Sequence, residues 1–136
     1  MISYRLGNQL NLTRVIELYA ASSLGERRPI ADRRRMAGML RHANLVITAW
    51  DDRLLVGIAR SLTDFVYATY LSDLAVRESH QRQGIGKQLI RETRRAGGVQ
   101  TSIILLAAPQ AVEYYGHIGF EAHSSAWILR PEMTLK

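Results

Sequence analysis

The chain has 136 residues, which fits one domain (1–136) with one hydrophobic core, and its 47% apolar content argues against a disordered protein. It has no cysteine, which excludes disulfides, thiolate metal sites and cysteine nucleophiles. No apolar run reaches the roughly 18 residues of a membrane span, and the N-terminus lacks a signal-peptide pattern. We therefore expect a cytoplasmic protein with no membrane contact.

The net charge is +6 and the sequence pI is about 10.2. Such a balance is typical of proteins that bind nucleic acid, a membrane surface or small anions. The arginines cluster at 27–28, at 33–35 and at 91–95. Solvated surfaces are the default interpretation of these clusters, and binding of a small anionic ligand is the alternative.

The first part of the chain predicts a strand followed by two helices. Residues 2–6 alternate as in a strand, and a helix from about 11 to 24 ends at Gly25. Asp32 can cap a second helix over about 33–43.

The period then changes to that of strands. Two β-rich runs, 45–50 and 54–62, are separated by Asp51-Asp52-Arg53 and predict a hairpin, and a third run follows at 67–76. The apolar run 102–108 predicts a strand covered on both faces.

The end of the chain predicts one more helix and one or two more strands. Pro109 can begin a helix over 110–118, and 121–130 (EAHSSAWILR) reads as a last strand or pair of strands. The predicted order is β-α-α-β-β-β-α-β-α-β(-β), an α/β fold with a mixed sheet and helices on both faces.

The most informative stretch lies between the third β-rich run and the following helix. Its residues bring free backbone N–H groups and positive charge to one helix N-terminus, where anions bind. The residues expected to hold the ligand there are Gln81, Arg82, Gln83, Gly84, Ile85, Gly86 and Lys87.

Two other glycine-loop patterns do not fit this stretch. A dinucleotide fingerprint needs a third small residue where Leu89 stands, and a Walker loop needs Ser or Thr where Gln88 stands. The alternative is an ordinary strand–turn–helix whose glycines bind no ligand.

The pattern that does fit is Gln/Arg-x-x-Gly-x-Gly/Ala, which Gln81, Gly84 and Gly86 match in order. This stretch resembles the acetyl-CoA loop of the GNAT N-acetyltransferases, in which the loop amides hold the pyrophosphate of coenzyme A. The predicted element order is also that of the GNAT fold. The resemblance implies acetyl-CoA as co-substrate and no metal.

A second motif, YYGHIGF at 114–120, also resembles the GNAT family. Tyr115 matches the position that often protonates the departing thiolate, and Tyr114 is expected to pack or to line the pantetheine channel. A tyrosine packed on the core is the alternative. Many GNAT proteins have an asparagine near the start of this helix, where this chain has Gln110 as a possible substitute.

Amine acetylation needs a neutral amine, because the pKa of an alkylamine lies about three units above neutral pH. Asp73 is the first candidate for the base, since many GNAT relatives have an acidic residue on this strand; alternation places it on the face opposite Leu74 and Val76. A binding or structural role for Asp73 is the alternative, and Glu113 and Glu121 are weaker candidates. The thioester is expected to lie against the backbone of Leu74, Ala75 and Val76, with an N–H of Ala75 or Val76 on its oxygen.

The interpretation is an N-acetyltransferase that acts on a primary amine of a small molecule or peptide by direct transfer in a ternary complex. The alternatives are a coenzyme A-binding sensor of the same fold and a basic nucleic-acid-binding module. No nucleic acid partner is expected under the first interpretation, and a homodimer is possible.

Overall fold

All 136 residues are described in a computed structural model of the chain. The chain forms two compact units, 1–106 and 107–136. The first contains all five strands and the three longer helices, and the second contains one short helix. That the chain acts as a single domain stays a prediction.

The first unit is built on a five-stranded mixed sheet in the order β1-β2-β3-β4-β5. All neighbouring strands are antiparallel except β4 and β5, which are parallel. The strands are β1 Ile2–Leu6, β2 Leu45–Asp51, β3 Leu54–Thr63, β4 Ala68–Val76 and β5 Ser102–Ile104.

Three helices accompany this sheet. They are α1 Leu12–Ala20, α2 Arg33–His42 and α3 Ile85–Gly97. Asn11 caps α1 and Asp32 caps α2, each by accepting a backbone N–H from the first turn. The predicted first helix extends four residues beyond the observed end, because after Ala20 the chain turns at Ser22 into a 3-10 helix, Ser23–Arg27.

Helices cover both faces of the sheet, as predicted. On one face Leu18 of α1 and Met36 of α2 belong to the same buried cluster as Val46 and Ile58 of the sheet. On the other face α3 packs so closely that a Cβ at Gly57 would lie 3.0 Å from Leu89 Cδ1. None of the helices is both long enough and apolar enough to cross a membrane.

A β-bulge between β3 and β4 decides which way Asp73 points. Ser61 pairs with Leu71 and Arg60 pairs with Asp73, so Ser72 is the extra residue. Directly paired residues share a face, and the bulge therefore places Asp73 on the face of α1 and α2 beside Arg60.

The C-terminal part of the predicted fold needs correction. β5 ends at Ile104 and lies at the edge of the sheet, with Ile104 half-exposed, so the expected strand over 102–108 is shorter and is not covered on both faces. The predicted helix over 110–118 is a 3-10 helix, Pro109–Ala111, followed by the short α4, Tyr114–His117.

No strand forms over 121–130, where one or two were predicted. A strand requires a neighbouring strand that pairs with its backbone groups, and this segment pairs with none. The apolar side chains of Trp127 and Leu129 are exposed there.

Candidate active site

The loop that joins β4 to α3 presents a run of free backbone donors. A 3-10 helix, Glu78–His80, follows β4, and α3 begins at Ile85 with Gly84 as its N-cap. None of the N–H groups from Arg82 through Lys87 donates a hydrogen bond within the chain. Such a run of N–H groups at a helix N-terminus favours an anion.

Two residues of this loop have left-handed backbone conformations. Arg82 has φ +65° and Gly84 has φ +80°. Gly84 lacks the Cβ that disfavours this region, whereas Arg82 has a conformation that is uncommon for a non-glycine residue. The Gln81 side chain donates to the carbonyl of Val76 at 3.1 Å and thereby ties the loop to the end of β4.

Two further contacts hold the loop against the sheet. Ile85 and Leu89 of α3 are buried, at 2% and 0% exposure, over the face that carries Gly57. His80 Nε2 lies 2.8 Å from Oδ2 of Asp51, the last residue of β2, and this hydrogen bond holds the pKa of Asp51 below its usual value. The predicted binding residues 81–87 are therefore brought together on one rigidly supported turn.

β4 has an open edge immediately before this loop. β5 pairs with β4 only at Ala68–Tyr70, so from Leu71 to Val76 no strand lies on that side. Arg77 donates its N–H to Val56 on β3 at 2.8 Å. Successive N–H groups along a strand point to opposite sides. Since the N–H of Arg77 points to β3, those of Leu74 and Val76 point to the open edge.

The same alternation corrects one expectation. It directs the N–H of Ala75, which pairs with Ile58, toward β3 and away from the open edge. Of the two residues expected to hold the thioester oxygen, only Val76 has an N–H free for that purpose.

Asp73 lies at the centre of a buried polar cluster. Its side chain is fully buried, and it accepts from Arg60 Nε at 2.6 Å, from Arg28 Nε at 2.7 Å and from the Tyr19 hydroxyl at 2.6 Å. Ser72 Oγ lies 3.3 Å from the same carboxylate. We call Tyr19, Arg28, Arg60 and Asp73 the carboxylate cluster.

The electrostatics of this cluster weaken Asp73 as a base. Burial alone would raise the pKa of Asp73, but the hydrogen bond and charge of Arg60, with Tyr19 and Arg28, outweigh it and hold the pKa below its usual value. Burial and then Asp73 raise the pKa of Tyr19 well above its ordinary value, so its phenol stays protonated and donates. An ionised carboxylate that accepts from three donors has little tendency to take a proton from an amine.

Sequence reasoning did not single out Tyr19 or Arg60. A charged residue in the middle of the apolar run LLVGIARSL is a signal that Arg60 has a buried partner. Tyr19 belongs to the apolar stripe of α1, and nothing in the sequence marks its hydroxyl as the partner of a residue 54 positions away.

The second unit contains the other predicted residues. Tyr115 packs edge-on against Tyr114 and Phe120, at ring-centre distances of 5.3 Å and 5.4 Å. Burial, with a smaller contribution from Tyr114, raises the pKa of Tyr115, so its hydroxyl keeps its proton at neutral pH. The hydroxyl has no hydrogen-bond partner in the chain, and Gln110 is exposed on the 3-10 helix before α4.

No group of three His, Asp or Glu side chains lies close enough together to hold a metal ion.

Residues 23–128 match the family model described as an acetyltransferase (GNAT) domain. Among curated proteins, the histone acetyltransferase TAP1 of Glycine max is 35% identical over 74 residues, 53% of this chain and 32% of that protein. GCN5-related N-acetyltransferase 2, chloroplastic, of Arabidopsis thaliana is 34% identical over 73 residues, 52% of this chain and 28% of that protein. The chain thus spans about a third of the length of these relatives.

Two solved structures resemble this chain in fold over nearly its whole length. A GNAT-family acetyltransferase from Streptococcus pneumoniae has a TM-score of 0.69 and 26% identity, covering 96% of this chain and 99% of that one. An aminoglycoside N-acetyltransferase in complex with CoA has a TM-score of 0.74 and 19% identity, covering 98% and 96%. The second shows likeness of fold alone.

Proposed function

Because this chain belongs to the GNAT family of acetyltransferases, we propose that it transfers the acetyl group of acetyl-CoA to a primary amine of a small molecule or peptide. The transfer is direct, within a ternary complex. The observation that carries the proposal is the run of free N–H groups from Arg82 through Lys87, placed directly after the open edge of β4.

The loop residues fit the phosphates of coenzyme A. The free N–H groups of the loop and the positive end of α3 bind a pyrophosphate, and Arg82 and Lys87, both exposed, add positive charge at the same turn. Residues 81–87 are the binding residues of this proposal.

Acetyl-CoA supplies a thioester, an acyl group already activated toward an amine. Leu74 and Val76 turn free N–H groups to the open edge of β4, where Val76 stabilises the charge that develops on the acyl oxygen. Gln110 and Tyr114 bind the middle of the cofactor; the assignment of Tyr114 rests on the motif, and Gln110 takes the place of the asparagine that many GNAT proteins have near the start of this helix.

Tyr115 donates the proton that the departing thiolate takes up. This role rests on the match to the YYGHIGF motif and on the raised pKa of Tyr115, which keeps its hydroxyl protonated at the pH at which a thiolate needs it.

Asp73 positions the site and is not the base. Its carboxylate is buried and paired with two guanidinium groups, and its pKa is lowered. The amine reaches its neutral form by losing a proton to solvent, so the rate rises with pH until the acceptor is neutral.

The test is a screen of primary amines with acetyl-CoA that follows thiol release. Because the chain has no cysteine, a thiol-reactive dye reports only the coenzyme A that is released. Release that depends on the amine, with acetylated product seen by mass spectrometry, supports the proposal. Release of coenzyme A that no amine accelerates contradicts it.

A second candidate function is that of a coenzyme A-binding sensor that does not transfer the acyl group. It is favoured because the Asp73 carboxylate is paired with Arg60 and Arg28 and is therefore not available as a base. Saturable acetyl-CoA binding without acetylation of any amine in the screen would identify it.

A cytoplasmic location is part of the first proposal, although the Arabidopsis relative is named as chloroplastic. Fractionation of the native host, with detection by antibody, tests it.

A further inference from the structure

The carboxylate cluster carries one positive charge that no negative charge within it compensates. Arg28 and Arg60 are both charged, Asp73 is the one carboxylate between them, and Tyr19 stays neutral because its pKa is raised. Buried charges usually occur in compensated sets, so a half-buried positive charge is costly unless a ligand neutralises it.

Arg28 is the member of the cluster that reaches solvent. Its side chain is 22% exposed, whereas those of Arg60 and Asp73 are 9% and 0% exposed. Its Nε donates to Asp73, its Nη1 to the Arg27 carbonyl at 2.8 Å and its Nη2 to the Ser72 carbonyl at 2.8 Å. A guanidinium has five N–H donors, so one on each terminal nitrogen is left for a ligand.

The uncompensated positive charge of Arg28 lies close to the part of β4 where the acyl group is proposed to bind. Ser72, whose carbonyl accepts from Arg28, is the bulge residue of β4 and lies on the stretch where β5 no longer pairs. It is two residues from Leu74 and four from Val76, which is roughly 7 to 13 Å along a strand. The guanidinium is therefore near the place proposed for the acyl group.

We propose that the acceptor is a carboxylate-bearing amine, and that Arg28 binds its carboxylate through the two spare N–H groups while the amine faces the open edge of β4. The inference rests on the proposed function and names its substrate class. Arg–carboxylate pairs with two parallel hydrogen bonds give both affinity and orientation. The distance along β4 suits an amine and a carboxylate separated by a few bonds, as in an amino acid.

The experiment compares L-amino acids with their α-carboxamides as acceptors, for wild type and for Arg28→Gln, at a pH above the amine pKa of both series, because the proposed reaction needs a neutral amine. We expect wild type to prefer the acids by at least about tenfold in kcat/KM, mainly through KM, since hydrogen bonds between charged groups are worth that much. In Arg28→Gln this preference should fall to near one.

Arg27→Gln is the matched control, because it removes the same charge one residue away from an exposed side chain that makes no hydrogen bond. It should keep the preference for acids. If Arg28→Gln folds poorly, Arg28→Lys keeps the charge without the two-pronged geometry and should lose part of the preference.

Equal use of acids and carboxamides by wild type would overturn the inference and leave the proposed function standing. So would a preference for acids that survives in Arg28→Gln, or that Arg27→Gln removes equally. If no compound of either series is acetylated, an amino-acid-like acceptor is excluded, and the wider amine screen and acetyl-CoA binding still judge the proposed function separately.

Discussion

Arg60 Nε lies 2.6 Å from Asp73 Oδ2, and the two residues face each other directly across β3 and β4 with almost no access to solvent. The bulge at Ser72 makes this pairing possible, because without it Asp73 would point to the face of α3. The carboxylate of Asp73, on the strand that leads into the loop 81–87, thus fixes the position of that strand.

Replacing Asp73 by Asn should lower stability more than it alters chemistry. Removal of one partner from a buried ion pair leaves Arg60 and Arg28 uncompensated, and we expect a loss of about 3 kcal/mol in the free energy of unfolding at pH 7. Urea unfolding followed by circular dichroism measures it.

The pH dependence has a definite sign. The pKa of Asp73 is lower in the folded state than in the unfolded state, so its contribution is complete above the unfolded pKa of about 3.9 and is lost as pH falls through the folded value. The stability difference between wild type and Asp73→Asn should be constant near neutral pH and should shrink below about pH 4. A pH–rate profile in which Asp73→Asn removes an acid limb would instead make Asp73 the base.

Tyr19 should contribute to the same cluster through its hydroxyl alone. Tyr19→Phe keeps the ring in the core and removes the 2.6 Å hydrogen bond to Asp73, so we expect a loss of about 2 kcal/mol in the free energy of unfolding. In a double-mutant cycle with Asp73→Asn, the two losses should be less than additive. Additive losses would show that the hydroxyl stabilises the fold in some other way.

Gly57 should be intolerant of a side chain because α3 packs directly on it. A Cβ there would lie 3.0 Å from Leu89 Cδ1 and 3.3 Å from Ile85 Cγ2, so Gly57→Ala should cost about 1–3 kcal/mol of unfolding free energy and weaken the support of the loop. Gly38→Ala, in α2 with nothing within 4 Å of its Cβ, is the control and should stabilise by roughly 0.5–1 kcal/mol. The same sign of change for both variants would contradict this account.

Tyr115→Phe should reduce kcat by about a hundred- to ten-thousand-fold and leave acetyl-CoA affinity nearly unchanged, because the hydroxyl is needed only as the thiolate forms. Tyr114→Phe is the control in the adjacent position, where the side chain points about 100° away along the helix. Equal kcat for Tyr115→Phe and wild type, when chemistry limits the rate, would make Tyr115 a packing residue and solvent the proton donor.

The element order up to α3 could be predicted because it depends on local signals. Asp32 is a cap that the sequence displays, and Gly84 and Gly86 mark the turn into α3. The absence of a strand at 121–130 could not be predicted. Strand formation depends on a neighbouring strand that pairs with it, and the sequence of the segment does not show whether such a strand is present.

The candidate site also has one part that could be predicted from the sequence and one part that could not. The loop 81–87 is one continuous stretch, and its residues could be identified together. The carboxylate cluster joins four separate segments of the chain, and a one-residue bulge sets the direction of Asp73. An alternating sequence does not show where a bulge lies. Asp73 could therefore be predicted as a site residue, but its hydrogen-bond partners could not.

The most direct test of the account is the affinity of the loop for acetyl-CoA, measured by isothermal titration calorimetry. Wild type should bind one acetyl-CoA per chain, and Gly86→Glu, which places a negative side chain among the free N–H groups, should lose at least about tenfold in affinity. Gly38→Glu adds the same group to α2 and should bind as wild type does. A folded Gly86→Glu protein with wild-type affinity for acetyl-CoA would contradict the account.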